Sequence, residues 1–323
     1  MAGWNGWFVV PVLAIAAMGA LIWKKKQRVY QRVGHVKKIL FFPMKSIRGI
    51  EVEEGKCTKL GLEVNGLLER SFMLTSEDGA YVTLEKAPKL ALLTPKFDGT
   101  NLVISGPEVD PLTIKVQKAP DPNDKIIECR LRVETAYVVD CGEKAAKWFQ
   151  NCLNMPNVRL VRFYPEFPGR QFFEKFTFYE KLRPKNSMSL QNWAPFHIMS
   201  QPSIDDLNTK LKDNHVSAIN FRPNVLVDGC HPYDEDSWEF IKLGDGAEIM
   251  NVIPCHRCPL TTFEPETGIL SQKEPLVTLR KYRIPKDPEV QKKVGPRPCL
   301  GVNCIVLQTG TIKVNDEIFA TTI

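Results

Sequence analysis

The chain has 323 residues, 43% of them hydrophobic and 25% charged, with a formal charge of +6. That length suits two domains, and that composition excludes an intrinsically disordered chain. Much of the positive excess sits in one cluster, Lys24, Lys25, Lys26, Arg28 and Arg32, so it points to no nucleic-acid partner.

An apolar run comes first. Trp7 to Trp23 carries no charge, and Lys24-Lys25-Lys26-Gln27-Arg28 follows at once. As a helix its roughly 17 residues span about 25 Å, slightly less than a ~30 Å hydrocarbon core, with a tryptophan at each interface. A secretory signal is the rival reading, but its basic residues precede the apolar run and here they follow it. The expectation is therefore an uncleaved signal anchor within residues 1–30, transmembrane over about 7–23, with the basic flank keeping the rest of the chain cytosolic. A short anchor of this kind resembles an outer-mitochondrial-membrane tail, and another cytosol-facing membrane, for example the peroxisomal one, would also accept it. The cysteine count of 9 is odd and shows no framework spacing, which fits a reduced, cytosol-facing chain.

Beyond the anchor the pattern is mainly β with some α. Val36 to Phe42 reads as a strand ending at Pro43. Ser71 to Thr75 leads through Glu77-Asp78-Gly79 into Tyr81 to Leu84, a predicted hairpin. Leu102 to Ser105 and Leu112 to Val116 flank Gly106-Pro107, another turn. Glu143 to Leu153 is the first helix of the body, and Met199 to Leu211 is a second, with Ser200 or Ser203 as its N-cap. Arg162 to Asn186 mixes aromatics, charges and prolines without a period, so 166–186 reads as a connector between domains at 31–165 and 187–323. Strands resume at Val225 to Val227 and Glu248 to Ile253, and Cys304 to Leu307 with Gly310 to Val314 reads as a closing hairpin. Many short strands with few helices imply an α+β chain of two β-barrel-like halves. No P-loop and no dinucleotide-binding fingerprint is present.

Chemistry concentrates at Cys255-His256-Arg257-Cys258. Half of a zinc site would need a second pair, and Cys299 with Cys304 offers a poor spacing. A redox pair belongs at a helix start, whereas Pro259 and two threonines follow here. Two buried small hydrophobes, or a thiolate bound to another metal, are the remaining readings.

The surroundings narrow the choice. Cys258-Pro259-Leu260-Thr261-Thr262-Phe263-Glu264-Pro265-Glu266-Thr267-Gly268 resembles the cysteine loop of MOSC-domain proteins, and among them of the mitochondrial amidoxime-reducing components. Asn220-Phe221-Arg222-Pro223-Asn224-Val225 and Asp234-Glu235-Asp236-Ser237-Trp238 are similar to further motifs of that family. Phe42-Pro43-Met44-Lys45-Ser46-Ile47-Arg48-Gly49 and Glu69-Arg70-Ser71-Phe72 resemble those of its N-terminal β-barrel partner domain. The resemblance covers nearly everything after the anchor. It implies one transmembrane helix, then a MOSC-type N-terminal β-barrel at 31–165, and a MOSC β-barrel at 187–323 carrying the metal-ligand cysteine.

The same resemblance implies a cofactor, Mo-molybdopterin, with Cys258 as metal ligand and catalytic residue. Molybdenum held by soft sulfur accepts a cysteine thiolate as a further ligand, and the adjacent Arg257 is expected to favour that thiolate. Lys45, Ser46 and Arg70 match positions that hold the cofactor, a point charge, hydroxyl and guanidinium fork suited to its phosphate. Arg222 adds charge and Asn224 offers donor and acceptor to a pterin edge. Ser200, His256 and Asn303 complete the implied set. Some have a plainer reading: Lys45 and Arg48 as solvated turn residues, Arg222 as an ion pair with Asp234 or Asp236, and Cys255 as a bystander.

Two departures from the family pattern fall on the substrate side. A tyrosine position is Asn303, in Leu300-Gly301-Val302-Asn303, and the family's aspartate before Pro195 is missing from Gln191-Asn192-Trp193-Ala194. The implied activity is reduction of N-oxygenated small molecules, amidoximes and N-hydroxylated amines among them. Electrons would come from NADH through cytochrome b5 reductase and cytochrome b5 on the same membrane. The alternative is a non-redox MOSC module that binds the cofactor or carries sulfur. If residues 1–30 serve only as the anchor, deleting them moves the chain from the membrane pellet to the supernatant on sedimentation. A truncated chain that still pellets with membranes would refute that role.

Overall fold

A computed structural model describes residues 28–131, 134–171, 187–212, 215–271 and 273–322. The expected membrane helix at 7–23 and the 172–186 part of the connector lie outside these residues. Among the described residues no helix is long and apolar enough to cross a membrane.

The chain is mainly β with a few helices, as the strand-rich pattern implies. Its largest sheet contains a closed ring of strands. In order around the ring these are Gln31–Phe41, Val225–Asp228, Phe196–Ser200, Cys299–Gln308, Ala247–His256, Trp238–Leu243 and Glu317–Thr322, which returns to Gln31–Phe41. All neighbours are antiparallel except Phe196–Ser200 with Val225–Asp228. Parallel neighbours need a crossover, and the helix Gln201–Lys210 supplies it. Closure leaves the ring no free edge. Its interior is apolar: Trp238, Phe196, Ile39 and Val302 are each at most 1% exposed.

The two halves exchange strands. Gln31–Phe41, first in the chain, closes the ring of the C-terminal half, pairing His35 to Ile39 with Asp228 to Val225. In return Gly310–Lys313, near the end, pairs with Glu54–Thr58 in a sheet of the N-terminal half. The expected closing hairpin is therefore not formed, because the two segments run into different sheets. The expected hairpin at 71–84 is also reduced. Phe72–Thr75 pairs along its length with Arg159–Arg162, and Thr75 makes only an isolated bridge to Tyr81. Turn chemistry names a reversal but does not decide which strand pairs along its length.

The expected local elements otherwise form. The helix Glu143–Leu153 has the predicted bounds, burying Ala145, Ala146, Phe149, Cys152 and Leu153. The strands 101–106 and 109–115 pair as an antiparallel hairpin around the Gly106-Pro107 turn. Ser200 caps the helix Gln201–Lys210, accepting from Ser203 N at 3.2 Å.

Ring closure by the first strand has a direct consequence. Residues 187–323 alone lack that strand and are expected to show no cooperative thermal transition by circular dichroism. Fusing residues 31–41 ahead of them through a flexible linker should restore one. A cooperative transition in the unfused fragment would show that the ring closes without it.

Candidate functional site

Where the halves meet lies a cavity of about 220 Å3. Lys45, Ser46 and Arg70 reach it from the N-terminal half, and Arg222, Asn224, His256, Arg257, Cys258 and Asn303 from the barrel. The expected residues thus converge, with one exception. Ser200 is fully buried outside the cavity, donating to Glu235 Oε2 at 2.9 Å and capping its helix. Its hydroxyl is spent on the fold, and Glu235, also fully buried, needs it.

The N-terminal motif builds a cationic clamp around Phe42. The guanidinium carbons of Arg222 and Arg70 stand 4.1 and 4.9 Å from its ring centroid. A Cβ on Gly49 would meet that ring at 2.6 Å, so glycine is required there. Fully buried Glu69 ion-pairs with Arg70 and accepts from Phe42 N at 2.9 Å. Burial pushes the Glu69 carboxyl upward, while Arg70, the Phe42 N–H, the Asn224 side chain and Arg222 counter it. Arg222 donates Nη1 to Ile47 O at 2.5 Å, which ties barrel to N-terminal motif. It pairs with neither Asp234 nor Asp236. Asp236 is held by Arg283 Nη2 at 2.5 Å, and Asp234 lies beside His231 at 3.4 Å.

Three clamp residues have left-handed backbones: Ser46 at φ 70°, Arg70 at φ 49° and Arg222 at φ 57°. Each such residue costs on the order of 1–3 kcal/mol, strain that collects where side chains must be aimed. Lys45 is 3% exposed and donates to Leu190 O at 2.7 Å and to Asn192 Oδ1 at 2.6 Å. Asn192 thus offers an oxygen without a charge in the loop that lacks the family's aspartate. Ser46 Oγ lies 2.6 Å from Tyr81 Oη.

The cysteine loop leaves the barrel strand Ala247–His256. Cys258 is half-buried at the start of a single 3-10 turn, Pro259–Thr262. Thr261 N and Oγ1 both donate to Cys258 O, at 3.0 and 2.9 Å, and Thr262 Oγ1 donates to Pro259 O at 2.7 Å. The paired threonines therefore fix the loop from behind, leaving the Cys258 side chain on the cavity. Burial raises the Cys255 thiol above its ordinary range, against the pull of Arg257. Among the described residues no cluster of three or more His, Cys, Asp or Glu could hold a metal ion.

Arg257 lines the cavity with Cys258. Its guanidinium donates to Leu300 O at 2.9 Å and Phe221 O at 3.1 Å, and its Nη2 lies 2.7 Å from His197 Nε2. These contacts brace the cavity wall. Burial, reinforced by Arg257, holds His197 well below the usual imidazole range, so its ring is neutral. His256 packs edge-on against Trp193, ring centroids 4.4 Å apart.

Glu69, Phe42, Tyr81, Asn192 and His197 were not singled out from sequence. Glu69 was within reach, standing beside Arg70 in the motif. The others act through contacts distant in the chain.

The residues fit an anionic, hydrogen-bonding cofactor. Arg222 Nη2, Asn224 Nδ2 and Asn303 Nδ2 are buried without a well-formed hydrogen bond, Asn224 and Asn303 lying only near Glu69 and Cys255, and all three side chains line the cavity. Buried donors left unmet cost about 1–3 kcal/mol each, which a ligand accepting from them would recover. Arg70 and Arg222 share one carboxylate, Glu69, so an anion is needed to balance the clamp. Burial and the Arg70 charge lower Arg222 to about 9, and an anion would oppose both.

Comparison with known proteins agrees with this geometry. Residues 33–156 match the MOSC N-terminal beta barrel domain and residues 185–319 the MOSC domain. The architecture and site are those of a MOSC-domain protein. The human protein named mitochondrial amidoxime-reducing component 1 is 36% identical over 97% of this chain and 93% of its own. Mitochondrial amidoxime reducing component 2 of Rattus norvegicus is 35% identical over the same shares, 97% and 93%. The component 1 of Danio rerio is 33% identical over 96% of this chain and 92% of its own. The chain belongs to the MOSC-domain family of mitochondrial amidoxime-reducing components.

The neutral His197 makes stability depend on pH. The folded protein refuses a proton that unfolded His197 accepts near 6.5, so stability falls as pH drops through that value. Between pH 7.5 and 5.5 this residue's share of the loss is about 1.4 kcal/mol. Urea titrations at the two pH values should show the loss reduced by that amount in His197→Gln. An equal loss in the variant would mean that His197 is charged in the fold.

Proposed function

We propose that this chain is a molybdenum-cofactor-dependent reductase of N-oxygenated compounds: amidoximes, N-hydroxylated amines and related N–O substrates. One observation carries the reading: unmet donors on Arg222, Asn224 and Asn303 converge with Cys258 on a single cavity. In this reading Cys258 Sγ is the protein's ligand to the metal, its loop fixed by Thr261 and Thr262. When bound, the cofactor would supply a two-electron redox centre for reduction of the N–O bond. Lys45, Ser46, Arg70 and Arg222 hold its phosphate, and Asn224 and Asn303 take the polar edge of the pterin. Asn303 and Asn192, both departures from the family pattern, bear on substrate choice.

Cleaving one N–O bond consumes two electrons and two protons and releases water. In our reading the electrons come from NADH through cytochrome b5 reductase and cytochrome b5. The signal anchor holds the body on the cytosolic face of the mitochondrial outer membrane, where tethering raises effective donor concentration to about the millimolar range. The names of the relatives support both the substrate class and the mitochondrial placement.

Elemental analysis and one substitution test this together. The purified chain should hold about one molybdenum per protein and reduce benzamidoxime when given reduced cytochrome b5. Cys258→Ser should lose at least about 100-fold in rate, because a hydroxyl is a hard, poor ligand for this metal, while Cys255→Ser stays within about two-fold. Comparable losses in both would overturn the single-ligand assignment. A molybdenum-loaded chain without reductase activity would instead leave a non-redox MOSC module.

A further inference from the structure

Six cations line the cavity, Lys45, Arg48, Arg70, Arg222, Arg257 and Arg297, and no carboxylate does. Five of the six are engaged. Lys45, Arg70 and Arg222 form the clamp assigned to the cofactor phosphate. Arg257 is held by Leu300 O and Phe221 O, and Arg48 donates Nε to Ala91 O at 3.1 Å and Nη2 to Pro265 O. The sixth, Arg297, is exposed, and among the described residues its side chain makes no hydrogen bond or ion pair.

The backbone sets where Arg297 stands. Pro296 and Pro298 flank it, each with φ fixed by its ring, and Arg297 N donates to Gly295 O at 2.8 Å. The side chain is thus carried on a stiff turn, which has little freedom left to lose when a ligand arrives. Just beyond, the chain enters the barrel: Cys299 pairs with His256, and Arg257 N donates to Pro298 O at 2.8 Å. One residue further on each side come Cys258 and Arg297, and both line the cavity. His256 and Trp193, packed edge-on, add an aromatic wall on the same stretch of the lining.

No nearby acid cancels this charge. Glu264 and Glu266, further along the cysteine loop, are exposed and line no part of the cavity. Asp287 is spent on capping the helix Pro288–Val294, accepting from Glu289 N at 2.8 Å. The loop that lacks the family's aspartate presents Asn192 instead, an oxygen that does not repel an anion.

We propose that Arg297 is a specificity-determining residue, and that the preferred substrates are N-oxygenated compounds that carry a carboxylate. The carboxylate lies on the Arg297 guanidinium, the N–O group points towards Cys258, and a flat ring between them rests on Trp193 and His256. A guanidinium grips a carboxylate through two parallel hydrogen bonds, which orients the substrate as well as holding it. The proposal rests on the reductase reading and narrows its substrate class.

Benzamidoxime and 4-carboxybenzamidoxime, which differ by that one charge, test it on the full-length, molybdenum-loaded protein. Reduction by reduced cytochrome b5 gives kcat/KM for each, and equilibrium dialysis without an electron donor gives Kd for each. The acid should be favoured about five-fold in both measurements, the upper range for an exposed ion pair, and added salt should weaken the preference. Arg297→Gln should remove the preference and Arg297→Lys should keep part of it. Molybdenum content is measured in each variant. Absence of a preference in the unaltered protein overturns the proposal. So does an equal loss on both compounds in Arg297→Gln, or a loss explained by lower molybdenum content, since the arginine would then serve the cofactor. A binding preference without turnover of either compound overturns the reductase reading, and the substrate assignment with it.

Discussion

One carboxylate joins the two halves at the cavity. Glu69 is completely buried, and its two charged neighbours, Arg70 and Arg222, come from the N-terminal motif and the barrel respectively. Removing one partner of a buried ion pair typically costs ~3–5 kcal/mol, because the other charge is left unanswered in a poorly solvating place. Here the cost would fall on the clamp itself. Phe42 carries both guanidinium groups on its ring, Gly49 makes room for that ring, and left-handed backbones at Arg70 and Arg222 aim the side chains. The clamp holds one more positive charge than negative. That surplus is why the cavity suits an anion.

Such a joint would be useless if the halves could slide. The strand exchange prevents it: Gln31–Phe41 is a stave of the C-terminal ring, and Gly310–Lys313 belongs to an N-terminal sheet. Pulling the halves apart would open a closed barrel and expose the buried faces of both segments. Phe42 follows directly on the first strand, so the barrel that presents Arg222, Cys258 and Asn303 also anchors the motif that presents Lys45 and Ser46. Interlocked strands thus set the distances on which the site depends. Cofactor sites need this kind of support, since a shift of about 1 Å is enough to misplace a reacting group.

Buried polar groups in this molecule follow two patterns. In one, every atom is satisfied and the group serves the fold, as with Glu235 among Ser200 and Ser203, or Arg257 between Leu300 O, Phe221 O and His197. In the other, a donor is buried and left unmet beside a cavity, as with Arg222, Asn224 and Asn303. The same residue types occur in both patterns. The difference lies in whether the fold has already answered them.

Local periodicity and turn chemistry were enough to place the helix Glu143–Leu153, a cap at Ser200 or Ser203, the strand into Pro43 and the mainly β class, because each depends on neighbours a few residues away. The family resemblance carried by short motifs gathered Lys45, Ser46, Arg70, Arg222, Asn224 and Cys258 as one set. Strand partners were not legible. The tail segments 304–307 and 310–314 look like a hairpin, yet they separate into two sheets, since pairing is decided by which apolar faces must be covered across the whole chain. Nor could sequence distinguish Ser200, consumed by Glu235, from Asn303, left with a bare donor. Arg257 lies one residue from Cys258 in the chain and lines the same cavity, yet its hydrogen bonds go to Leu300 O, Phe221 O and His197, while Glu69 and Arg222 are far apart and share a charge. Residue identity fixes what a side chain can donate or accept; only the tertiary structure decides what stands opposite it, because burial removes the water that would otherwise answer every polar group alike.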